Sequence, residues 1–148
     1  MYRYLTVKLG SPVDAEDVLQ DVFCRLVKYS FRLRFVHDFR AFAFRIARNE
    51  ANRFLQRKIL GEQAAQPAAA FAESFRRSYS GPDRLIEQTV SAALARIPEE
   101  QREVIILRIL EGLSFREIAA VSGQSINTMA SRYRYGIEKM RALMEGEK

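Results

Sequence analysis

The sequence predicts an all-α fold: two small helical domains joined by a linker, the C-terminal one a helix-turn-helix domain. Apolar residues recur every three or four positions along nearly all of the 148 residues, and no convincing alternating pattern of a strand occurs. Residues that start helices, and glycines or prolines that end them, divide this pattern into segments of helical length. Residues 61–81 depart from it, with an alanine tract and a Ser-Gly-Pro end that are typical of a linker.

Composition excludes several classes of protein. An apolar content of 48% is sufficient for packed cores, yet no apolar run approaches the about 20 residues that cross a membrane. The first residues lack the apolar stretch and cleavage site of a signal peptide. The single cysteine, Cys24, excludes an internal disulfide, and one cysteine with one histidine provides no metal cluster. We therefore expect a cytoplasmic protein without a metal or other cofactor.

The positive charge is concentrated in the first part of the chain. Residues 1–60 hold 12 Lys or Arg and 6 Asp or Glu, whereas residues 61–148 hold 12 of each. A basic first half, together with a local basic face on the last helix, favours a polyanion that is contacted at two places. The alternative is an ordinary basic protein that binds no nucleic acid.

Three helices are predicted in the first half. The first covers Tyr2–Leu9 and ends at Gly10, and the second is capped by Asp14 and runs to about Tyr29. Asp38 then caps a third helix from Phe39 to about Leu60. The apolar face predicted for the second helix consists of Val18, Leu19, Val22, Phe23, Leu26 and Val27.

The third helix is unusually rich in arginine, asparagine and glutamine. Such a surface could follow a phosphate backbone, and Phe42 and Phe44 near its start could stack on exposed bases. The alternative is a solvated basic face over a phenylalanine core.

The second half begins with two helices that are separated by prolines. Pro82 opens a helix that runs to about Arg96, and Pro98 starts another that runs to Leu110. Gly112 ends that helix and leads into the helix-turn-helix.

Local signals define both helices of the helix-turn-helix. Ser114 and Glu117 form a capping box for a helix over Phe115–Val121, and Gly123 can adopt the positive φ of a tight turn. Ser125 then caps the last helix. Its apolar face is Ile126, Met129, Tyr133, Ile137, Met140 and Met144.

The opposite face of the last helix resembles a DNA-reading surface. Short polar donors at the start of a helix suit base edges, and the arginines that follow suit phosphates. The alternative is an amphipathic surface helix with a solvated basic face. The polar face comprises Asn127, Thr128, Ser131, Arg132, Arg134, Tyr135 and Lys139.

Six short motifs occur in an order and spacing shared with one protein family. They are DAED at 14–17, QDVF at 20–23, FRAFAFRIARN at 39–49, IPEEQR at 97–102, GLS at 112–114 and NTMASRYRY at 127–135. On these motifs the chain resembles the extracytoplasmic-function (ECF) class of RNA polymerase sigma factors of the sigma-70 family.

The resemblance implies a non-catalytic sigma factor that directs core RNA polymerase to promoters and helps to open the DNA. Residues 1–60 would be a region 2-like domain that binds the clamp coiled coil of the largest polymerase subunit and the downstream (minus-ten) element. Residues 82–148 would be a region 4-like domain that binds the upstream (minus-thirty-five) element. The linker, 61–81, would thread the RNA exit region. The other implied partners are the polymerase flap and an anti-sigma factor, and membrane insertion is not expected.

The resemblance also implies which residues make these contacts. The polymerase-binding candidates are Asp17, Gln20, Asp21 and Arg25. The candidates for the downstream element are Asn49, Asn52, Arg53, Gln56 and Arg57, with the loop residues Phe35–Asp38, which would hold an unstacked base. The candidates for the upstream element are Ser125, Asn127, Thr128, Ser131, Arg132 and Arg134.

Three departures from the family pattern leave alternatives open. The first helix is shorter than usual, so either the start is truncated or the domain leans on a partner. Phe42 stands where the family commonly has tryptophan. The loop at Arg34–Asp38 differs from that of the family, so the resemblance does not imply which base is captured. For His37, a loop or capping role is favoured over base contact.

The alternative functions are a sigma-like decoy that sequesters an anti-sigma factor and a stand-alone helix-turn-helix regulator.

Overall fold

The computed structural model describes residues 1–61, 68–79 and 81–146. In these ranges the chain forms α-helices and one short 3-10 helix, Arg32–Phe35, and no strand, which confirms the all-α fold class. The α-helices are α1 (Tyr2–Leu9), α2 (Pro12–Lys28), α3 (Phe39–Leu60), α4 (Ala68–Ser78), α5 (Arg84–Arg96), α6 (Glu99–Ile109), α7 (Phe115–Ser122) and α8 (Ile126–Gly146).

The helix ends in the first half follow from local capping. Gly10 ends α1 with a φ of 74°, and the Asp38 carboxylate accepts a hydrogen bond from the Ala41 N–H at 3.0 Å, as predicted. The prediction that Asp14 caps α2 is wrong. The Ser11 hydroxyl accepts from the Asp14 N–H instead, because Pro12 is already preorganised for the first helical position. Asp14 lies inside the helix and pairs with Lys58 at 3.1 Å.

The helix ends in the second half also depend on side-chain caps. Asp83 accepts from the Leu85 N–H at 2.8 Å and starts α5 two residues after Pro82. Both hydrogen bonds of the Ser114–Glu117 capping box are present, at 3.1 and 3.0 Å. Gly123 closes α7 with a φ of 68°, which produces the tight turn of the helix-turn-helix.

Within the stretch predicted as the linker, residues 68–79 contain α4, which is packed rather than extended. Phe71 and Phe75 lie four residues apart, so they share one face of α4, and both are buried. That face packs between α1 of the first half and α5 of the second. The alanines supply high helix propensity, and the two aromatic rings supply the apolar face that stabilises the helix. The rest of the linker prediction, at 62–67 and at 80, lies outside the described residues.

One continuous core runs through both halves of the molecule. Its fully buried side chains include Tyr4 and Leu5 from the first half and Leu107, Leu113 and Ile118 from the second. In addition to the α4 contacts, α3 packs directly against α7. Each buried leucine or isoleucine contributes about 1.5–3 kcal/mol. The two halves, which the sequence predicted as two domains joined by a linker, are therefore packed together in this structure.

Candidate polymerase and nucleic-acid interfaces

The start of α8 carries a pair of linked hydroxyl groups. The Ser125 hydroxyl accepts from the Thr128 N–H at 3.1 Å and lies 2.8 Å from the Thr128 hydroxyl. The predicted cap is thus confirmed. One hydrogen bond between two hydroxyls uses one of their two protons, so the other proton can be donated to an outside acceptor.

The remaining upstream-element candidates follow on the same side of α8. Asn127 and Ser131 are four residues apart, as are Thr128 and Arg132, which places them over two successive turns. Asn127 and Arg134 are exposed, and Ser131 and Arg132 are partly exposed. The free N–H groups and positive dipole end of α8 lie at the same place and favour a phosphate. The structure thus brings the six predicted residues together on one accessible surface.

Arg132 already has a partner on the neighbouring helix. Its guanidinium lies 3.3 Å from the carboxylate of Glu100, which is in the first turn of α6 and has a side chain that is 72% exposed. An exposed ion pair of this kind is worth about 1 kcal/mol or less, so a phosphate could replace Glu100 at small cost. Sequence reasoning did not identify Glu100, because the pairing depends on how α6 and α8 cross.

The downstream-element candidates form a stripe along α3. Asn49, Arg53, Gln56 and Arg57 are exposed and Asn52 is partly exposed, at spacings of three and four residues. Neither this stripe nor the surface on α8 is covered by the packing of the two halves.

The first turns of α3 do not offer the aromatic rings that the sequence suggested for base stacking. Phe44 is buried with its ring edge-to-face against Tyr4, and Phe42 packs edge-to-face on Tyr29. Burial excludes Phe44 from stacking on bases, whereas Phe42 is only partly buried against Tyr29. Exposed rings occur at Phe35, in the preceding loop, and at Phe39, the first residue of α3.

That loop combines aromatic and cationic side chains. Phe31 and Phe35 are 70% and 74% exposed, and the Arg34 guanidinium lies 5.2 Å from the centre of the Phe31 ring. His37 is also exposed. Alternating rings and guanidinium groups can stack on unpaired bases and contact their phosphates. This loop is adjacent to the start of α3, where Asp38 fixes the helix end.

The polymerase-binding candidates lie on α2. Asp17, Gln20 and Asp21 are exposed, as predicted from their helical spacing. The predicted apolar face of α2 is wrong at two positions, since Phe23 and Val27 are 56% and 72% exposed. They follow Gln20 by three and seven residues, so they adjoin its face of the helix and offer apolar contact area next to the carboxylates.

A cleft of about 630 Å³ lies between α2 and α3. It is lined by Asp21 and Arg25 from the polymerase-binding set and by Arg53, Gln56 and Arg57 from the downstream-element set. The two predicted sets are therefore neighbours in space.

Glu50 organises this cleft and was missed by sequence reasoning. Its side chain is only 7% exposed, and its carboxylate pairs with Arg25 from α2 and with Arg53 at 3.1 Å. A buried carboxylate needs such cationic partners. An acidic residue inside a strongly basic helix was the available signal. Arg25 is thus held by Glu50, while its side chain remains 39% exposed.

The described residues contain no group of three or more His, Cys, Asp or Glu side chains that could hold a metal ion. None of their helices is both long enough and apolar enough to cross a membrane.

Comparison with known proteins identifies both halves of the chain. The family model of sigma-70 region 2 matches residues 1–59, and the model of sigma-70 region 4 matches residues 87–140. The ECF RNA polymerase sigma-E factor of Escherichia coli K12 is 30% identical, over 80% of this chain and 68% of the relative. The RNA polymerase sigma-H factor of Pseudomonas aeruginosa is also 30% identical, over 80% of this chain and 67% of the relative.

Two solved structures share the fold. The sigma factor RpoE from Bartonella quintana, in complex with the anti-sigma factor NepR, has a TM-score of 0.72 at 23% identity and covers 99% of this chain and 91% of its own. CnrH, in complex with the cytosolic domain of CnrY, has a TM-score of 0.65 at 24% identity, with coverages of 99% and 82%. The two matched regions, in this order and on this fold, establish that the chain belongs to the ECF class of the sigma-70 family, the sigma factors of promoter-specific transcription initiation.

Proposed function

We propose that residues 1–60 bind core RNA polymerase and the downstream promoter element, and that residues 82–148 bind the upstream element. The observation that carries this proposal is the accessibility of both cationic surfaces, on α3 and on α8, in a chain that contains regions 2 and 4 of the family. The protein acts without catalysis of its own, in the cytoplasm where the polymerase works.

The polymerase contact in this proposal is the exposed side of α2. Asp17, Gln20 and Asp21 supply polar groups for the clamp coiled coil, and Phe23 and Val27 supply apolar area. The polymerase flap would contact the second half. Arg25, held by Glu50, keeps α2 and α3 in a fixed relation.

The downstream contact consists of the α3 stripe and the loop before it. Asn49, Asn52 and Gln56 supply amide groups for base edges, while Arg53 and Arg57 contact phosphates. Phe35 supplies an exposed ring for a base that has left the stack, an event that costs a few kcal/mol.

An anti-sigma factor is the further partner that we propose. Of the two structural neighbours, RpoE was solved in complex with the anti-sigma factor NepR, and CnrH in complex with the cytosolic domain of CnrY. The exposed residues Phe23, Val27 and Phe31 offer this chain an apolar surface for one.

Two other functions are less consistent with the structure. A decoy that only sequesters an anti-sigma factor would have no use for the accessible donors at Ser125, Asn127 and Arg134. A stand-alone regulator would need a dimer seam, but Met129 and Met140 on the apolar face of α8 are buried in their own chain.

Run-off transcription with purified core polymerase tests the proposal. We expect a discrete transcript that requires both this protein and an upstream region of suitable sequence, and that core polymerase alone does not produce. If no upstream region from a genomic library yields a promoter-dependent product, the decoy becomes the better interpretation.

Arg132→Ala is expected to weaken binding to the upstream element about equally for different sequences. It should also make the slope of the logarithm of the binding constant against the logarithm of the salt concentration less steep by about one. The reason is that a guanidinium that neutralises a phosphate releases a counterion. Fluorescence anisotropy over a range of salt concentrations measures both effects.

Arg84→Ala is the matched control for this substitution. Arg84 is also an exposed arginine of the second half, but it begins α5 and is not on the helix that carries the proposed DNA surface. Equal salt slopes for the two variants would remove Arg132 from the DNA interface.

A further inference from the structure

A cluster of four polar side chains joins the two halves of the molecule. The Glu103 carboxylate, on α6, accepts from the Tyr4 hydroxyl at 2.7 Å and from Lys8 Nζ at 3.1 Å, both on α1. It also accepts from Arg48 Nε, on α3, at 3.2 Å. These residues, here called the Glu103 clasp, connect α6 of the second half to two separate helices of the first half, α1 and α3.

The Glu103 clasp is largely removed from solvent. The side chains of Lys8 and Glu103 are 9% and 13% exposed. Burial raises the pKa of Glu103, but the charges of Lys8 and Arg48 and the hydrogen bonds from Tyr4 and Lys8 outweigh it, so that its pKa is lower than usual. The carboxylate is therefore stabilised in its charged form by groups that all come from the other half.

A second set of contacts lies at the C-terminal end of α6. The last carbonyl groups of a helix have no partner within that helix. Here the Arg3 guanidinium donates to the Leu110 carbonyl at 3.0 Å, and Arg40 donates to the Glu111 carbonyl. The Tyr4 N–H also donates to the Glu111 carboxylate at 3.3 Å. The first half thus caps a helix of the second half.

The closed body is too small to contact two promoter elements at once. A compact chain of 148 residues has a radius of gyration of about 15 Å and a diameter of about 40 Å. Elements named for positions about 25 base pairs apart are separated by about 85 Å along the duplex. The two halves must therefore separate before both can bind.

We propose that the Glu103 clasp holds the free protein in a closed, self-inhibited state, and that it must break before the two halves can engage a promoter. This inference rests on the proposed function for its consequence, but closure itself is a property of the free chain.

Opening also adds a cation to the proposed downstream DNA surface. Arg48 precedes Asn52 by one helical turn, so once released from Glu103 it extends the stripe on α3. A DNA phosphate can then replace the carboxylate as its partner. Because DNA or polymerase binds the open state better, each shifts the equilibrium away from the closed state.

A distance measurement on the free protein tests closure directly. Fluorescent labels at the exposed Cys24 and at an Ala142→Cys substitution on α8 report the separation of the two halves by energy transfer. We expect a predominant short-distance population for the native sequence. Glu103→Lys places a cation against Lys8 and Arg48 and should raise the ratio of open to closed molecules by about tenfold or more.

Glu100→Lys is the matched control. Glu100 lies on the same helix and undergoes the same change of charge, but its ion pair, with Arg132, stays within the second half. We expect it to leave the distance unchanged. Adding Lys8→Glu to Glu103→Lys restores one pair of opposite charges across the interface and should partly restore the short distance.

Each outcome bears on the proposal. A native chain that is already open, or a Glu103→Lys chain that stays closed while retaining native helicity, overturns it. If Glu103→Lys reduces helicity, Glu103→Gln, which keeps the size of the side chain, takes its place and should open the chain to a smaller extent. A Glu103→Gln chain as closed as the native one would then overturn the proposal.

Association with immobilised core polymerase measures the inhibitory effect separately. An open variant should bind more tightly, because the apparent Kd falls as the competent fraction rises. An open variant that binds with unchanged affinity refutes self-inhibition. If no variant and no native chain binds the polymerase, the proposed function fails, whereas the distance measurement still decides whether the clasp closes the chain.

Discussion

Replacing both Asp17 and Asp21 with arginine is expected to abolish co-purification with core RNA polymerase. The two carboxylates lie four residues apart on the exposed side of α2, so they face a partner together. Reversing both charges removes two attractive contacts and creates two repulsive ones, and like charges brought together at an interface cost several kcal/mol. Affinity purification of the polymerase from cells that express the variant measures this loss.

The fold should survive this double substitution. Substitutions at exposed positions usually change the free energy of unfolding by no more than about 0.5 kcal/mol, so the circular dichroism spectrum of the variant should be native-like. Glu138→Arg with Glu145→Arg is the matched control, because both residues are exposed on α8 and the change of charge is the same. If the Asp17/Asp21 variant still co-purifies with the polymerase, the clamp docks elsewhere.

Gly136→Leu is expected to lower the free energy of unfolding by about 3 kcal/mol, at the upper end of the range for overpacked cores. Gly136 is buried where α8 crosses α6. A Cβ atom there would lie 2.7 Å from Ile105 Cδ1 and 3.2 Å from Gln101 Cβ, so a leucine must displace the buried Ile105 side chain and press against Gln101. Because α8 carries the proposed upstream DNA contacts, DNA binding should weaken as well.

Urea denaturation of Gly136→Leu and Gly146→Leu provides the comparison. Gly146 lies at the end of the same helix, and a Cβ atom there would meet nothing within 4 Å. Both substitutions replace a helical glycine by leucine, a better helix former. The difference between their free energies of unfolding therefore reports the cost of the clash at Gly136. Equal unfolding midpoints would show that α6 and α8 do not pack as described.

Features that depend on neighbouring residues in the sequence were predictable. The capping box at Ser114, the turn at Gly123 and the cap at Asp38 each involve groups within three or four residues, so the sequence alone contains the signal. The prediction that Asp14 caps α2 was wrong because two good capping residues, Ser11 and Asp14, lie close together. Pro12 is preorganised for the first helical position, which makes Ser11 the cap.

Features that depend on long-range packing were not predictable. Phe71 and Phe75 have a helical spacing, but only the presence of α1 and α5 on either side explains why α4 is packed. The sequence left open whether Phe44 stacks on bases or packs in the core, because its partner Tyr4 is 40 positions away. Glu50 and Glu103 also pair with cations on other helices, Arg25 and Arg48, and the local sequence does not identify these partners.

The same distinction applies to the candidate site. The stripe on α3 and the surface on α8 follow from helical periodicity, and their accessibility agrees with the sequence expectation. The cleft between α2 and α3, and the exposure of Phe23 and Val27, depend on how two helices cross. Sequence reasoning therefore identified the surfaces and missed the residues that connect them.

Mapping of transcription start sites after overexpression tests the central claim most directly. The native chain should induce a set of new start sites that share two sequence elements about 25 base pairs apart, about 85 Å along the duplex. The variant with Asp17→Arg and Asp21→Arg should induce none of them. If the native chain produces no new start sites, or if both chains produce the same ones, this protein does not direct the polymerase to promoters in the way described.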